Sequence, residues 1–181
     1  NKNVTGGEGG MIVTDDDEVA EKARLHRNLA FDPQRRFVHE DLGWNNRLSA
    51  MQCALGLSQM SRLEDTIARR REIASIYDKY LTDLNGVRKP LRQTSYAVND
   101  YWVYGVVLDE GSYDPEEVRQ ALRGRGVDTR PFFWPLHEQP VLAKYGVRHS
   151  LECPVASRLG RRGFYLPNGL GTSNDAIERC A

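Results

Sequence analysis

The chain has 181 residues, 40% hydrophobic and 28% charged, with 25 basic residues balancing 25 acidic ones. That is the make-up of a globular domain, or of a small domain with part of another, and its zero net charge excludes a whole-molecule field that would draw nucleic acid or anionic lipid. No apolar run is long enough to cross a bilayer, and no signal peptide opens the chain. Cys53, Cys153 and Cys180 are odd in number and lack metal-type spacing. Reduced thiols in a cytoplasmic protein, with no metal, nucleic-acid or membrane partner, are therefore expected.

In chain order, Gly6, Gly7, Gly9 and Gly10 around Glu8 mark a tight connection into a strand over Met11 to Thr14. Thr14 or Asp15 is the expected N-cap of a helix running to about Asn28, with acidic residues in its first turn and arginines near its end. Residues 30–46 carry Pro33 and Gly43 and read as a long loop, a kind of segment that is often functional. Leu48, Met51, Leu55, Met60, Leu63 and Ile67 recur at helical spacing, predicting helix from Leu48 to about Leu84 with a break near Leu63 to Asp65. Asn85 and Gly86 end it.

After Pro90 the pattern becomes strand, helix, strand, helix, strand, helix, which predicts a small α/β layer domain. Its strands fall at Tyr101 to Leu108, Val127 to Phe133 and Phe164 to Leu166. Its helices run from Asp114 to about Arg125, over Cys153 to Gly163, and from Ser173 or Asn174 onward. The last of these is cut by the end of the chain, which together with the first residue, Asn1, suggests a fragment.

Read locally, the candidate site residues are ambiguous. Lys2 is by itself a solvent-exposed terminal lysine, and the glycine cluster is a plain turn more readily than a phosphate cradle. His137, in Trp134-Pro135-Leu136-His137, suits a ligand-binding loop and a hydrogen-bonded structural role equally. Arg69, Arg70 and Arg71 read as a solvated helix face paired with Glu64, Asp65 and Glu72. Asn45 and Asn46 read as caps for the helix that begins at Leu48.

Longer matches carry more. The run from Asn1 to Asp16, with Asn1-Lys2 followed by Gly7-Glu8-Gly9-Gly10 and a hydrophobic strand ending in Thr14-Asp15, resembles the lysine region of the DegT/StrS-type pyridoxal-phosphate-dependent sugar aminotransferases. The similarity continues through residues 21–28, Gly43-Trp44-Asn45-Asn46-Arg47, residues 52–60 and 69–74. Residues 129–140 are most similar to the GDP-perosamine synthase branch. The resemblance implies the aspartate-aminotransferase-like type I fold, an α/β architecture, of which this chain would be the C-terminal half. Residues 1–63 would be the end of the large, cofactor-binding domain. Residues 64–181 would be the connecting helix and the small, truncated C-terminal domain.

By the same resemblance Lys2 matches the Schiff-base lysine, and Asn45 the asparagine that reaches the cofactor phosphate of the neighbouring subunit. His137 and Arg130 border the nucleotide-sugar pocket. The implied activity is conversion of a nucleotide-linked 4-keto-6-deoxysugar to its 4-amino sugar in polysaccharide biosynthesis. The implied cofactor is pyridoxal 5'-phosphate, with glutamate as donor and a homodimer as the active assembly. The alternative is a non-catalytic or regulatory homologue acting as a binding or dimerisation subunit. Gly6 departs from the pattern, since the family usually has threonine or cysteine there, and this is expected to loosen the turn. The residues that complete the cofactor cradle would lie upstream, so the polypeptide alone is expected to bind cofactor poorly and to be inactive.

Overall fold

A computed structural model describes residues 2–146 and 152–181. The chain divides into two compact units, Asn1–Leu63 and Glu64–Ala181.

The first unit holds α1 (Asp17–Arg27) and α2 (Ala50–Met60). Asp16, rather than Thr14 or Asp15, caps α1: its carboxylate accepts from the Val19 amide at 3.1 Å. Ser49 caps α2, in place of Asn45 or Asn46, through a reciprocal box. Ser49 Oγ accepts from the Gln52 amide, and Gln52 Oε1 accepts from the Ser49 amide. The loop between the helices doubles back, with an antiparallel bridge pairing Asn28 with Asn45. Three backbone bonds (Trp44 to His26, Leu29 to Trp44, Asn46 to Arg27) hold it there. Residues 31–41 pack on themselves: Phe31 meets the Phe37 ring edge-on and lies against His39, and Arg35 bridges Asp32 and Glu40.

One expectation fails in this unit. Met11, Ile12 and Val13 form no strand and lie 88%, 70% and 85% exposed, because a strand needs a neighbour to satisfy its backbone and none of the described residues supplies one. The apolar stripe on α2 is also uncovered: Met51, Leu55 and Met60 are exposed, and Ala30 is the unit's one buried residue among those described.

The second unit is built on α3 (Leu63–Tyr80), which follows α2 after a break at Ser61 and Arg62. Its buried positions, Arg70, Ile73, Ala74 and Tyr77, recur at three- and four-residue spacing and face the sheet. That sheet is antiparallel throughout, in the order β1 (Val87–Arg88), β2 (Tyr104–Leu108), β4 (Gly163–Leu166), β3 (Arg130–Pro131). Tyr104, Val106 and Leu108 alternate with Gly105 and Val107. The first set enters the core with Phe164, Leu166 and Ile177 of α7 (Asn174–Cys180), while α4 (Pro115–Gly124) adds Val118 and Leu122. The strand expected from Val127 to Phe133 shortens to Arg130–Pro131, an edge position that suits a proline without an N–H. Three short elements escaped sequence reading: β1, a 3₁₀ turn at Leu136–Glu138, and α5 (Pro140–Lys144).

The triple arginine is not a solvated face. Arg69 does pair with Glu72 at 2.6 Å, but it also donates to Asn174 Oδ1 and to the Thr172 carbonyl, tying α3 to the start of α7. Arg70 is only 6% exposed and donates to the carbonyls of Trp102 and Asn168 at 2.7 and 3.3 Å. Arg71 reaches the Asn99 carbonyl. Together the three arginines hold two loops, around residues 99–102 and 168–172, with Arg70 bonded to both, because a helix packed on a sheet brings loop carbonyls to the guanidinium groups at its margin.

Candidate active site

The glycine-rich turn is fastened to one side of α2. Gln52 and Gln59, two helical turns apart, project from the same side. Gln59 Oε1 accepts from the Thr5 amide at 3.1 Å, its Nε2 donates to the Thr5 carbonyl at 2.6 Å, and Gln52 Nε2 donates to the Glu8 carbonyl at 3.2 Å. The backbone that follows Lys2 thus behaves like a strand edge paired with two amide side chains. Gly6 lies against the helix backbone, and a Cβ there would stand 3.0 Å from the Gln52 carbonyl oxygen. The glycine therefore tightens this turn rather than loosening it. Lys2 itself is exposed, three residues before the first of these bonds. Asn1, which opens the motif, lies outside the described residues.

Asn45 is exposed on the loop, placed by its backbone bridge to Asn28. Its Oδ1 accepts from Arg47 Nε at 2.9 Å, so the carboxamide is turned with its NH₂ as the group left to donate. The donor set fits pyridoxal phosphate: Lys2 supplies a primary amine for an aldehyde, and Asn45 an amide donor for a phosphate oxygen, which only accepts.

In the second unit, Phe132 anchors the segment that carries Arg130 and His137. Its ring fills a notch made by Gly105 and Gly163, diagonal to each other on the neighbouring strands β2 and β4, and lies 4.9 Å from the Tyr165 ring. A Cβ on Gly105 would meet Phe132 Cζ at 2.7 Å, and one on Gly163 would meet the same ring and the Leu159 carbonyl. Arg130 is exposed on β3, opposite Tyr165. His137 sits on the 3₁₀ turn, and its side chain is 15% exposed. Its Nε2 lies 3.1 Å from Ser157 Oγ, on α6 (Pro154–Arg162), and 3.4 Å from Glu138 Oε1. Ser157 donates to Glu138 Oε1, and Arg161 donates to Oε2 at 2.6 Å. The Ser157 hydrogen bond first, and then the nearby Arg161 and His137, hold the Glu138 carboxyl below the usual carboxylate range. The Arg161 guanidinium also lies over the Trp134 ring, whose Nε1 donates to the Glu138 carbonyl.

Sequence reading named Lys2, Asn45, Arg130 and His137 but missed the residues that hold them: Gln52 and Gln59, Arg47, and the Glu138, Ser157 and Arg161 set. The seven-residue spacing of the two glutamines was a usable signal. Ser157 and Arg161, 20 or more residues from His137, left none.

A lysine-bearing segment bonded to a helix is thus followed, in one chain, by a small antiparallel α/β unit. The match extends over residues 1–181, and the chain belongs to the DegT/DnrJ/EryC1/StrS aminotransferase family, whose members are pyridoxal-phosphate enzymes. Among its curated relatives, the GDP-perosamine synthase of Caulobacter vibrioides is 36% identical over 182 residues, covering 99% of this chain and 48% of the relative. That of Escherichia coli O157:H7 is 33% identical over 177 residues, covering 98% and 46%. Of solved structures, DesI, determined in the presence of its TDP-sugar product, superposes with a TM-score of 0.83 at 29% identity, over 98% of this chain and 44% of that one. The chain thus spans just under half the length of the relatives it matches. The fold is accordingly a partial α/β unit of the pyridoxal-phosphate type I transferases.

Proposed function

We propose that this chain forms part of a pyridoxal-phosphate-dependent aminotransferase that converts a nucleotide-linked 4-keto-6-deoxysugar to the 4-amino sugar. Residues 1–63 contribute to the large cofactor-binding domain, and residues 64–181 form the connecting helix and small domain. The exposed apolar side chains of α2 support the first assignment, since a face so apolar suits contact with further protein.

The observation that carries the reading is the family match along the whole chain, and the resemblance of the Asn1-Lys2 motif to the family's lysine region supports Lys2 as the Schiff-base residue. When bound, pyridoxal phosphate supplies an aldehyde and an electron-withdrawing pyridine ring. Lys2 would hold it through Nζ in the neutral form, and the same nitrogen, when free, would carry a proton as base and then as acid. Gln52 and Gln59 keep the backbone after Lys2 from drifting, so the amine starts from a restricted set of positions. Asn45 donates from its NH₂ to the phosphate in a neighbouring subunit, which makes the homodimer the active form. His137 and Arg130 face the nucleotide sugar, with glutamate as amino donor.

In the intact protein, Lys2→Ala is expected to abolish both the lysine-dependent absorbance band formed with pyridoxal phosphate and turnover of GDP-, dTDP- and UDP-linked 4-ketosugars. Full turnover by that variant would refute the role of Lys2, and no turnover of any of the sugars by the wild-type protein would refute the substrate class.

A further inference from the structure

The loop that carries Asn45 is held by its backbone, whereas the Asn45 side chain is held by one residue. Trp44 and Asn46, on either side, donate from their amides to the carbonyls of His26 and Arg27 at 2.8 and 3.0 Å, and Asn45 itself bridges to Asn28. These bonds fix the backbone of Asn45 and say nothing about the direction of its terminal amide. A carboxamide is nearly symmetrical in shape, with an acceptor on one arm and two donors on the other. A half-turn about its last bond therefore exchanges what it offers a ligand, and the torsion by itself has little preference between the two settings.

Arg47 removes that ambiguity. Its Nε lies 2.9 Å from the end of the Asn45 side chain. A guanidinium has donors alone, so the atom that faces it is Oδ1, and the NH₂ is left for another partner. The bond is charge-assisted, and density drawn toward Oδ1 makes the amide hydrogens better donors. Both side chains are exposed, and neither makes another hydrogen bond or ion pair among the described residues. Arg47 is also only two residues from Asn45, too near for their bond to tie distant parts of the chain together. What the bond fixes is the direction of one amide rather than the fold.

We propose that Arg47 is a positioning residue that holds the Asn45 carboxamide with its donor arm presented, and so selects an acceptor-only group, the phosphate of pyridoxal phosphate in the neighbouring subunit. This rests on the reading of Asn45 as the residue that reaches that phosphate. Arg47 acts through Asn45 and not by its own contact with the cofactor. An amide oriented before binding has less freedom to lose when the ligand arrives, so affinity rises without a further contact.

The test is cofactor binding by the intact protein, with dissociation constants read from the lysine-dependent absorbance band. Pyridoxal, which lacks the phosphate, is the control ligand. Arg47→Ala should weaken binding of pyridoxal phosphate about three- to tenfold. Asn45→Ala should weaken it at least as much, and the Asn45→Ala/Arg47→Ala double variant no further than Asn45→Ala alone. Pyridoxal should bind the wild-type protein and all these variants alike. Wild-type affinity for pyridoxal phosphate in Arg47→Ala, beside a weakened Asn45→Ala, overturns the proposal. A double variant weaker than Asn45→Ala by the full Arg47→Ala factor overturns it as well, since Arg47 would then act independently of Asn45. So does an equal loss of pyridoxal and pyridoxal phosphate in Arg47→Ala, which would make the arginine a residue of the fold. Unchanged affinity in Asn45→Ala would instead overturn the placement of Asn45 at the phosphate, and that single variant tells the two failures apart.

Discussion

Replacing Gly105 with alanine tests whether the notch under Phe132 holds the site segment in place. The added methyl would stand 2.7 and 2.8 Å from Phe132 Cζ and Cε1, and 3.6 Å from Tyr165 Cδ1. The first two are overlaps, while the third is ordinary contact. Both crowding atoms belong to one ring, so the strain is relieved only by moving Phe132. Overpacking of this kind costs about 1–3 kcal/mol, partly offset by roughly 0.5–1 kcal/mol because alanine is better than glycine in a strand. A net loss of up to about 2.5 kcal/mol follows, lowering Tm by as much as roughly 5–10 °C for a chain of this size. The reasoning makes a sharper claim about coupling. In a Phe132→Ala background the crowding atoms are gone, so Gly105→Ala should become neutral or mildly stabilising. Gly163→Ala should remain destabilising in that background, because its methyl also meets the Leu159 backbone carbonyl at 2.7 Å, which cannot rotate away. Urea denaturation of the unsubstituted protein, the three single variants and the two doubles gives the cycle. A Gly105→Ala penalty of equal size with and without the Phe132 ring would refute the notch.

Arg70→Ala removes two charge-assisted bonds to loop carbonyls from a nearly buried side chain. It should destabilise the second unit by about 3 kcal/mol, read as a lower urea midpoint with an unchanged slope. The Glu138 carboxyl is held below its ordinary value of 4.5, so the bonds it makes contribute above that pH and are lost as pH falls through the lower folded-state value. Glu138→Gln should therefore flatten the acid limb of a stability-against-pH curve below about pH 4.5 and leave the neutral region nearly unchanged in slope. Burial, with help from Asp78 at Tyr104, raises the phenols of Tyr77 and Tyr104 far above their ordinary value of 10. In a near-ultraviolet alkaline titration those two of the 8 tyrosines should ionise only as the protein unfolds. Their contribution is present below pH 10 and is lost as pH rises toward the folded-state values.

Local chemistry made most of the helices readable. Asp114 before Pro115, Ser173 before Asn174 and the arginines at the end of α1 act within a turn of their own position, and each helix appeared within a few residues of its expected place. The order of elements and the motif around Lys2 were equally legible, because a motif is a local string. Pairing was not. Met11 to Val13 has the residues of a strand yet forms none, and Val87–Arg88 has little of that pattern yet pairs with β2. A strand exists only where a neighbour takes its backbone bonds. The stripe on α2 was periodic but uncovered, whereas the triple arginine looked solvated and proved to hold two loops.

What the amino-acid sequence determined by itself is therefore the family and, among the described residues, every α-helix but the short α5. The tertiary structure alone decided that Gly6 is needed by a helix backbone some 46 positions away, that Phe132 sits on two glycines of different strands, and that His137 is held by Ser157 and Glu138. These are contacts between residues distant along the chain, and their energies depend on separations of a few tenths of an ångström that no local pattern records.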